Sequence, residues 1–217
     1  DVIEINGSTF PPSAANYGVR FRTTITPEVR EEMESIKADA IANGTFMKAP
    51  NGNPTNLNEE QWLMVRTGNF KEWFGDWENN PNESSKVIDK NGEPLVVIHN
   101  SKTSGITEFK PYIGGAIYFA DKIAQNHVSG FEHGENNYEV FLNIKNPHTE
   151  SYEPAFIDEE DGIDGVFFTD EVDEGLAHAA IVKNPNQIKS ATDNNGEFGE
   201  SNDIRFRTLE ERKALRD

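Results

Sequence analysis

Three stretches of this 217-residue chain carry side chains whose types and spacing could do chemistry. Leu95-Val96-Val97-Ile98-His99-Asn100-Ser101 is an apolar run that delivers a histidine and a small polar pair at its end. Gly115-Ala116-Ile117-Tyr118-Phe119-Ala120-Asp121 places an aromatic pair on a second short run. Asn184-Pro185-Asn186-Gln187-Ile188-Lys189-Ser190 puts an amide on a late one. A histidine at a strand end can hydrogen-bond a ribose hydroxyl, and an aromatic ring can stack on a flat nicotinamide. A polar residue facing the ribose can steady the positive charge that develops as a glycosidic bond breaks. The competing reading of each is structural: a buried histidine with its hydrogen bonds satisfied, a core aromatic pair, and a glutamine that caps a turn.

Other catalytic plans lack their residues. Gly114-Gly115 precedes a strand and has no following lysine or helix, so it is not a phosphate-binding loop. There is no Gly-x-Ser-x-Gly turn. The histidines His99, His127, His133, His148 and His178 do not pair at the spacing of a zinc-binding helix, and no acidic run matches a calcium loop, so no metal is expected. With no cysteine, disulfides, thiolate metal sites and cysteine nucleophiles are excluded. Asp and Glu number 38 against 20 Lys and Arg, a formal charge of −18. A surface so negative repels phosphate backbones and anionic membranes. No apolar run approaches the length of a membrane span, and the start, Asp1-Val2-Ile3-Glu4, does not read as a signal peptide. The chain begins without Met, as a piece of a longer polypeptide would.

The elements that must position these residues can be read from the pattern. Residues 1–25 form a lead-in. Thr26 caps a helix with Pro27 in its first turn and Glu28 at the positive end of its dipole, and Asn43-Gly44 stops it. Residues 48–56 read as a linker. Asn58 and Asn69 are the expected caps of two aromatic-rich helices carrying Trp62, Val65, Trp73 and Phe74, ended by Gly75-Asp76-Trp77. Asn91-Gly92 between Lys86–Ile88 and Leu95–His99 signals a hairpin. Strands are expected at 116–119, 138–144, 165–169 and 179–183, a helix from Asp121 to about Val128, and acidic loops at 150–164 and 170–175. Helices followed by many short strands indicate an α+β domain. Val19-Arg20-Phe21-Arg22-Thr23 is echoed by Ile204-Arg205-Phe206-Arg207-Thr208, as if a junction recurred between modules.

At these residues the chain resembles a known family. Val97-Ile98-His99-Asn100-Ser101, Ala116-Ile117-Tyr118-Phe119 and Pro185-Asn186-Gln187-Ile188-Lys189-Ser190 look like the ADP-ribosyltransferase-like domain of phage and mobile-element polyvalent proteins, in the diphtheria-toxin-like branch with a His-Tyr-(Glu/Gln) triad. Phe70-Lys71-Glu72-Trp73-Phe74-Gly75-Asp76-Trp77 resembles the helical lead-in of that domain. Tyr138 to Pro147 and Asn202-Asp203-Ile204-Arg205-Phe206 are similar to its later segments. The resemblance covers residues 57–207, leaving 1–56 as a lead-in with a helix and 208–217 as the start of a following element.

The resemblance implies an ADP-ribosyltransferase-like α+β fold of two small antiparallel sheets with NAD between them, and a helical segment packed alongside. His99 would bind the ribose, Tyr118 would stack on nicotinamide, and Gln187 would take the third triad place. Asn100, Ser101 and Phe119 would complete the NAD site. Asn100 stands where the family often has glycine, and asparagine tolerates the left-handed backbone that a glycine would adopt there. Arg66, Lys102, Lys110 and Lys189 are the cations beside the motifs that could meet the pyrophosphate. The implied reaction transfers ADP-ribose from NAD to a macromolecular acceptor, a protein rather than a nucleic acid, and releases nicotinamide. The implied setting is the bacterial cytoplasm, with further modules in a larger polypeptide. A non-catalytic module of the same fold and a toxin-type RNase are the rivals, the latter opposed by the −18 charge.

Overall fold

The computed structural model describes residues 3–5, 8–10, 23–111, 115–127, 134–151, 162–207 and 213. A hairpin of β1 (Ile3–Ile5) and β2 (Ser8–Phe10) comes first. Helix α1 (Pro27–Ala42) begins where Thr26 accepts a hydrogen bond from the Val29 amide, and buries Val29, Met33 and Ala40. Its last turn closes on Asn43, and Gly44 supplies the positive φ of 68° that lets the chain leave. In α2 (Glu59–Met64) the Asn58 side chain accepts from the Gln61 amide at 3.0 Å while Gln61 accepts from the Asn58 amide at 3.1 Å, a reciprocal cap. Helix α3 (Gly68–Phe74) is capped by Thr67, not Asn69: Thr67 Oγ1 takes the Phe70 amide, and Asn69 instead donates to the Gly196 carbonyl. Both residue types can cap, and the earlier start wins because it buries Phe70, Trp73 and Phe74 together. Gly75 ends α3 at φ 101°, where a Cβ would lie 2.4 Å from the Ser84 Cα.

These helices share one apolar cluster that includes Val29, Trp62, Phe70, Trp73, Phe74, Trp77, Phe141 and Phe198. Each indole N–H in it finds a main-chain acceptor: Trp62 on Lys48, Trp73 on Asn186, Trp77 on Val65. The Arg66 guanidinium stacks 3.8 Å from the Trp62 ring and pairs with Glu93 at 3.0 Å and Glu78 at 3.3 Å. Arg66 is thus a fixture of the helical layer.

The remaining elements are β3 (Val97–Ser101), β4 (Ile117–Ala120), α4 (Lys122–His127), β5 (Asn136–Leu142), β6 (Pro147–His148), β7 (Gly165–Val172), β8 (Gly175–Val182) and β9 (Ile188–Ser190). Their seven strands form one sheet in the order β6-β7-β8-β4-β3-β5-β9, antiparallel except for β6 beside β7. Side chains alternate across it. Val97, Ile117, Phe119, Tyr138, Val140, Leu142, Ala180 and Val182 pack on one face with Phe109 and Ile204. Tyr118 packs with Ala116, Val166 and Ile181 on the other, near Ala120, which packs with Ala124 of α4.

The α+β class therefore holds, but the strands make one sheet and not two small ones. Its continuity hangs on the joint between β3 and β4, where a single registered pair, Ile98↔Ala120, connects two well-laddered halves. The 170–175 segment also differs from the loop expected of it. Asp170, Glu171 and Val172 belong to β7, Gly175 opens β8, and the hairpin turns on Asp173 and Glu174. Thr169, Asp170 and Glu171 are exposed, so charged side chains suit this ribbon beyond the core. Most of the 150–164 segment lies outside the described residues.

Candidate functional site

His99 sits at the joint of the sheet. Its strand forms because Val97 and Ile98 are β-branched and apolar, and the histidine side chain lands on the face that carries Phe119. The ring is 6% exposed, set edge-on to Phe109 at 5.0 Å and tilted against Phe119 at 5.6 Å. Nδ1 lies 2.8 Å from the Tyr118 carbonyl oxygen. A carbonyl can only accept, so Nδ1 carries the hydrogen and Nε2 is the acceptor nitrogen of the neutral ring. Burial pushes the His99 pKa below its ordinary value of 6.5, with the bond to Tyr118 opposing part of that shift. The site thus holds a neutral imidazole in one tautomer, spanning the gap where β3 and β4 cease to pair.

The other expected site residues do not all join it. Phe119 does, by ring contact. Tyr118 meets His99 through its carbonyl, while its own ring packs on the opposite face against Ala116, Val166 and Ile181. The physical reason is strand alternation: His99 and Phe119 follow from the Ile98↔Ala120 pair on one face, which turns Tyr118 to the other. Asn100 lies within β3 opposite Asn137, and Met47 is the only non-glycine residue with positive φ among the described residues, so Asn100 is extended and not left-handed. Ser101 is buried and accepts the Thr103 amide at 3.1 Å, closing the turn after β3.

Gln187 is a correction. It lies in the short 3-10 turn Pro185–Gln187, where Nε2 donates to the Asn143 carbonyl at 2.9 Å and the Asp164 carbonyl at 2.8 Å, and Oε1 accepts from the Asn184 amide. Both amide hydrogens go to main-chain acceptors that tie β5, β7 and β9 together. Asn143 lies five residues along from Tyr138, the registered partner of His99, a separation of roughly 16 Å at strand rise. The structure does not bring Gln187 to His99. Two of the four expected cations are also elsewhere: Arg66 is held between indoles, and Lys189, fully buried, donates to the Ser201 and Asp203 carbonyls. Lys102 and Lys110 are exposed on the turn and loop after β3.

Sequence reasoning passed over a second histidine. His178 Nδ1 lies 2.6 Å from Asp121 Oδ2, and both residues line a cavity of about 520 Å3 that also touches Ile98 and Glu139. Asp121 read only as a helix opener, and nothing near His178 in the chain marks it; the 57-residue separation of the partners hides the pair. A second cavity of about 310 Å3 lies beside Tyr138, Thr192 and Arg205. Among the described residues, no group of three or more His, Asp or Glu side chains is placed to hold a metal ion, and no helix is long and apolar enough to cross a membrane.

The chain matches no protein-family model, no curated protein and no solved structure.

Proposed function

We propose that the chain is an ADP-ribosyltransferase-like domain that binds NAD at the β3–β4 joint and transfers its ADP-ribose to a protein acceptor, releasing nicotinamide. The observation that carries the reading is His99: a buried imidazole fixed through Nδ1 on the Tyr118 carbonyl, its pKa lowered by burial, within the motif Val97–Ser101 whose order and spacing relative to Tyr118 suggest the family. Such a ring suits a ribose hydroxyl, which donates to Nε2 without bringing charge. The joint also fits the reading, because β3 and β4 share a single registered pair there, the least-laddered seam of the sheet. In this account Gln187 has no catalytic part and its corner keeps the sheet in register. A protein acceptor agrees with the −18 charge, and a bacterial cytoplasmic setting within a mobile-element polyprotein agrees with the resemblance.

A second reading, a module that binds NAD without turning it over, draws support from the engaged Gln187 amide, since the third triad residue is otherwise committed. Chromatographic measurement of nicotinamide release separates the two. Release above the enzyme-free rate, lost in His99→Gln, is expected. Binding of NAD with no release supports the non-catalytic module, and no binding at all overturns both.

A further inference from the structure

Thr23, which ends the pentamer Val19-Arg20-Phe21-Arg22-Thr23, and Arg205, within its echo at residues 204–208, bond to the same loop after β9. Asp193 Oδ1 accepts the Thr23 amide. Asn195 gives its amide to the Arg205 carbonyl at 2.9 Å and takes the Thr26 amide on its own carbonyl at 3.0 Å. Ile204 is pinned beside them, its amide on the Thr107 carbonyl at 2.9 Å and its carbonyl on the Ser190 amide at 2.8 Å. Asp193, Ile204 and Arg205 all line the cavity of about 310 Å3. The first copy of the pentamer therefore ends at the rim of a cavity whose wall is built partly from the second.

That cavity opens on the edge of the sheet. It touches Asn137, Tyr138 and Glu139, which are consecutive on β5 and so do not share a face. Strand β9 is registered with β5 only at Val140, Phe141 and Leu142. The Glu139 carbonyl points away from β3 and takes the Ala191 amide. Asn137, two residues back, turns its amide and carbonyl to that same side, where no strand among the described residues is registered with it. The two sides of this edge differ. Ile106 and Ile204 pack with Tyr138 on the apolar face, and Glu139 stands on the other. Arg205, the cation of the lining, is forked onto Asp203 at 2.9 and 3.0 Å.

We propose that this cavity is the dock for residues 19–22 of the same chain, which add to the β5 edge as a short strand. Those four residues lie outside the described ones, and Thr23 fixes where they start. Adjacent Cα atoms are about 3.8 Å apart, so Arg22 begins at the cavity rim. Strand alternation puts Val19 and Phe21 on one side, for the apolar wall, and Arg20 and Arg22 on the other, beside Glu139 and Asp193. The segment matches the edge in period and in charge. Docking also pairs main-chain groups that would otherwise leave an open edge, the surface to which an extended segment adds. Both copies of the pentamer then serve one site, the second as its wall and the first as its occupant. The proposal stands apart from the NAD reading.

Hydrogen exchange at the Asn137 amide, followed by NMR on the full chain without NAD, tests it. In wild type that amide is expected to be protected. Phe21→Ala should speed its exchange about thirtyfold, the loss of one buried aromatic side chain, while amides in the middle of β8 keep their rates. Arg20→Gln combined with Arg22→Gln should speed it about threefold, an effect that high salt reproduces in wild type. An Asn137 amide that exchanges at the unprotected rate in wild type overturns the dock, and so does one that Phe21→Ala leaves fully protected. If Phe21→Ala loosens β8 as well, the arginine pair decides: Asn137 accelerated with β8 unmoved supports the dock, and Asn137 unmoved overturns it.

The same protein distinguishes the source of the strand. Asn137 protection that survives about tenfold dilution, in a chain that sediments as a monomer, supports docking within one chain. Protection lost on dilution assigns the edge to residues 19–22 of a second copy and overturns the same-chain dock.

Discussion

Two histidines flank β4, one from each neighbouring strand, and they are held in opposite ways. His99 on β3 gives its Nδ1–H to a main-chain carbonyl and is wedged between Phe109 and Phe119. His178 on β8 gives the same hydrogen to a carboxylate and lies flat on Phe167 at the edge of a cavity. A carbonyl fixes the tautomer and adds no charge, so burial decides and His99 stays neutral. A carboxylate fixes the same tautomer through a side chain instead of the main chain. Identical side chains are thus held in different surroundings, His99 between aromatic rings and His178 beside a carboxylate.

The largest expected effect comes from removing the first ring. His99→Ala should abolish nicotinamide release and cost about 3 kcal/mol of stability, because it empties a space lined by Phe109 and Phe119 and strands the Tyr118 carbonyl. Chromatography and urea denaturation measure the two. If release persists, His99 is not the residue that receives the ribose. Next is Gln187→Ala, expected to cost about 2 kcal/mol by leaving the Asn143 and Asp164 carbonyls without their donor, yet to leave the NAD dissociation constant within about twofold of wild type. A variant that folds normally and loses NAD would return Gln187 to the site.

The smallest effect concerns pH and sharpens the contrast directly. Well above pH 6.5 the His99 ring is neutral whether the chain is folded or not, and it contributes little pH dependence. As pH falls below 6.5 the unfolded chain takes up a proton that the buried ring resists, so this residue makes stability fall until the depressed folded-state pKa is reached. His99→Gln, neutral at all pH and still able to donate to Tyr118, should lose less stability than wild type between pH 7.5 and 5 in paired urea titrations. Equal losses would mean that His99 is not held neutral.

Local features were legible in the chain and distant ones were not. The caps at Thr26 and Asn58 depend on partners three residues away, and both appear as expected. The cap of α3 slipped from Asn69 to Thr67 because two residues of capping type stand two apart and tertiary burial chose between them. Strand β9 has only three residues, and its pairing with β5 makes it a strand. The part Gln187 plays lies in bonds across 44 and 23 residues, and no local pattern announces them. The motif around His99 was visible because an apolar strand leads into it. The facing of Tyr118 was not, because it depends on which residue of β4 meets Ile98.

The central claim is that His99 receives the ribose of NAD through Nε2 while Nδ1 stays on the Tyr118 carbonyl. NAD titrated into protein with 15N-labelled histidine, observed at the ring nitrogens, tests it most directly. The account predicts a saturable shift at His99 Nε2 with Nδ1 still protonated and little moved. A titration in which NAD binds while both His99 nitrogens stay fixed, or in which NAD does not bind, would contradict it.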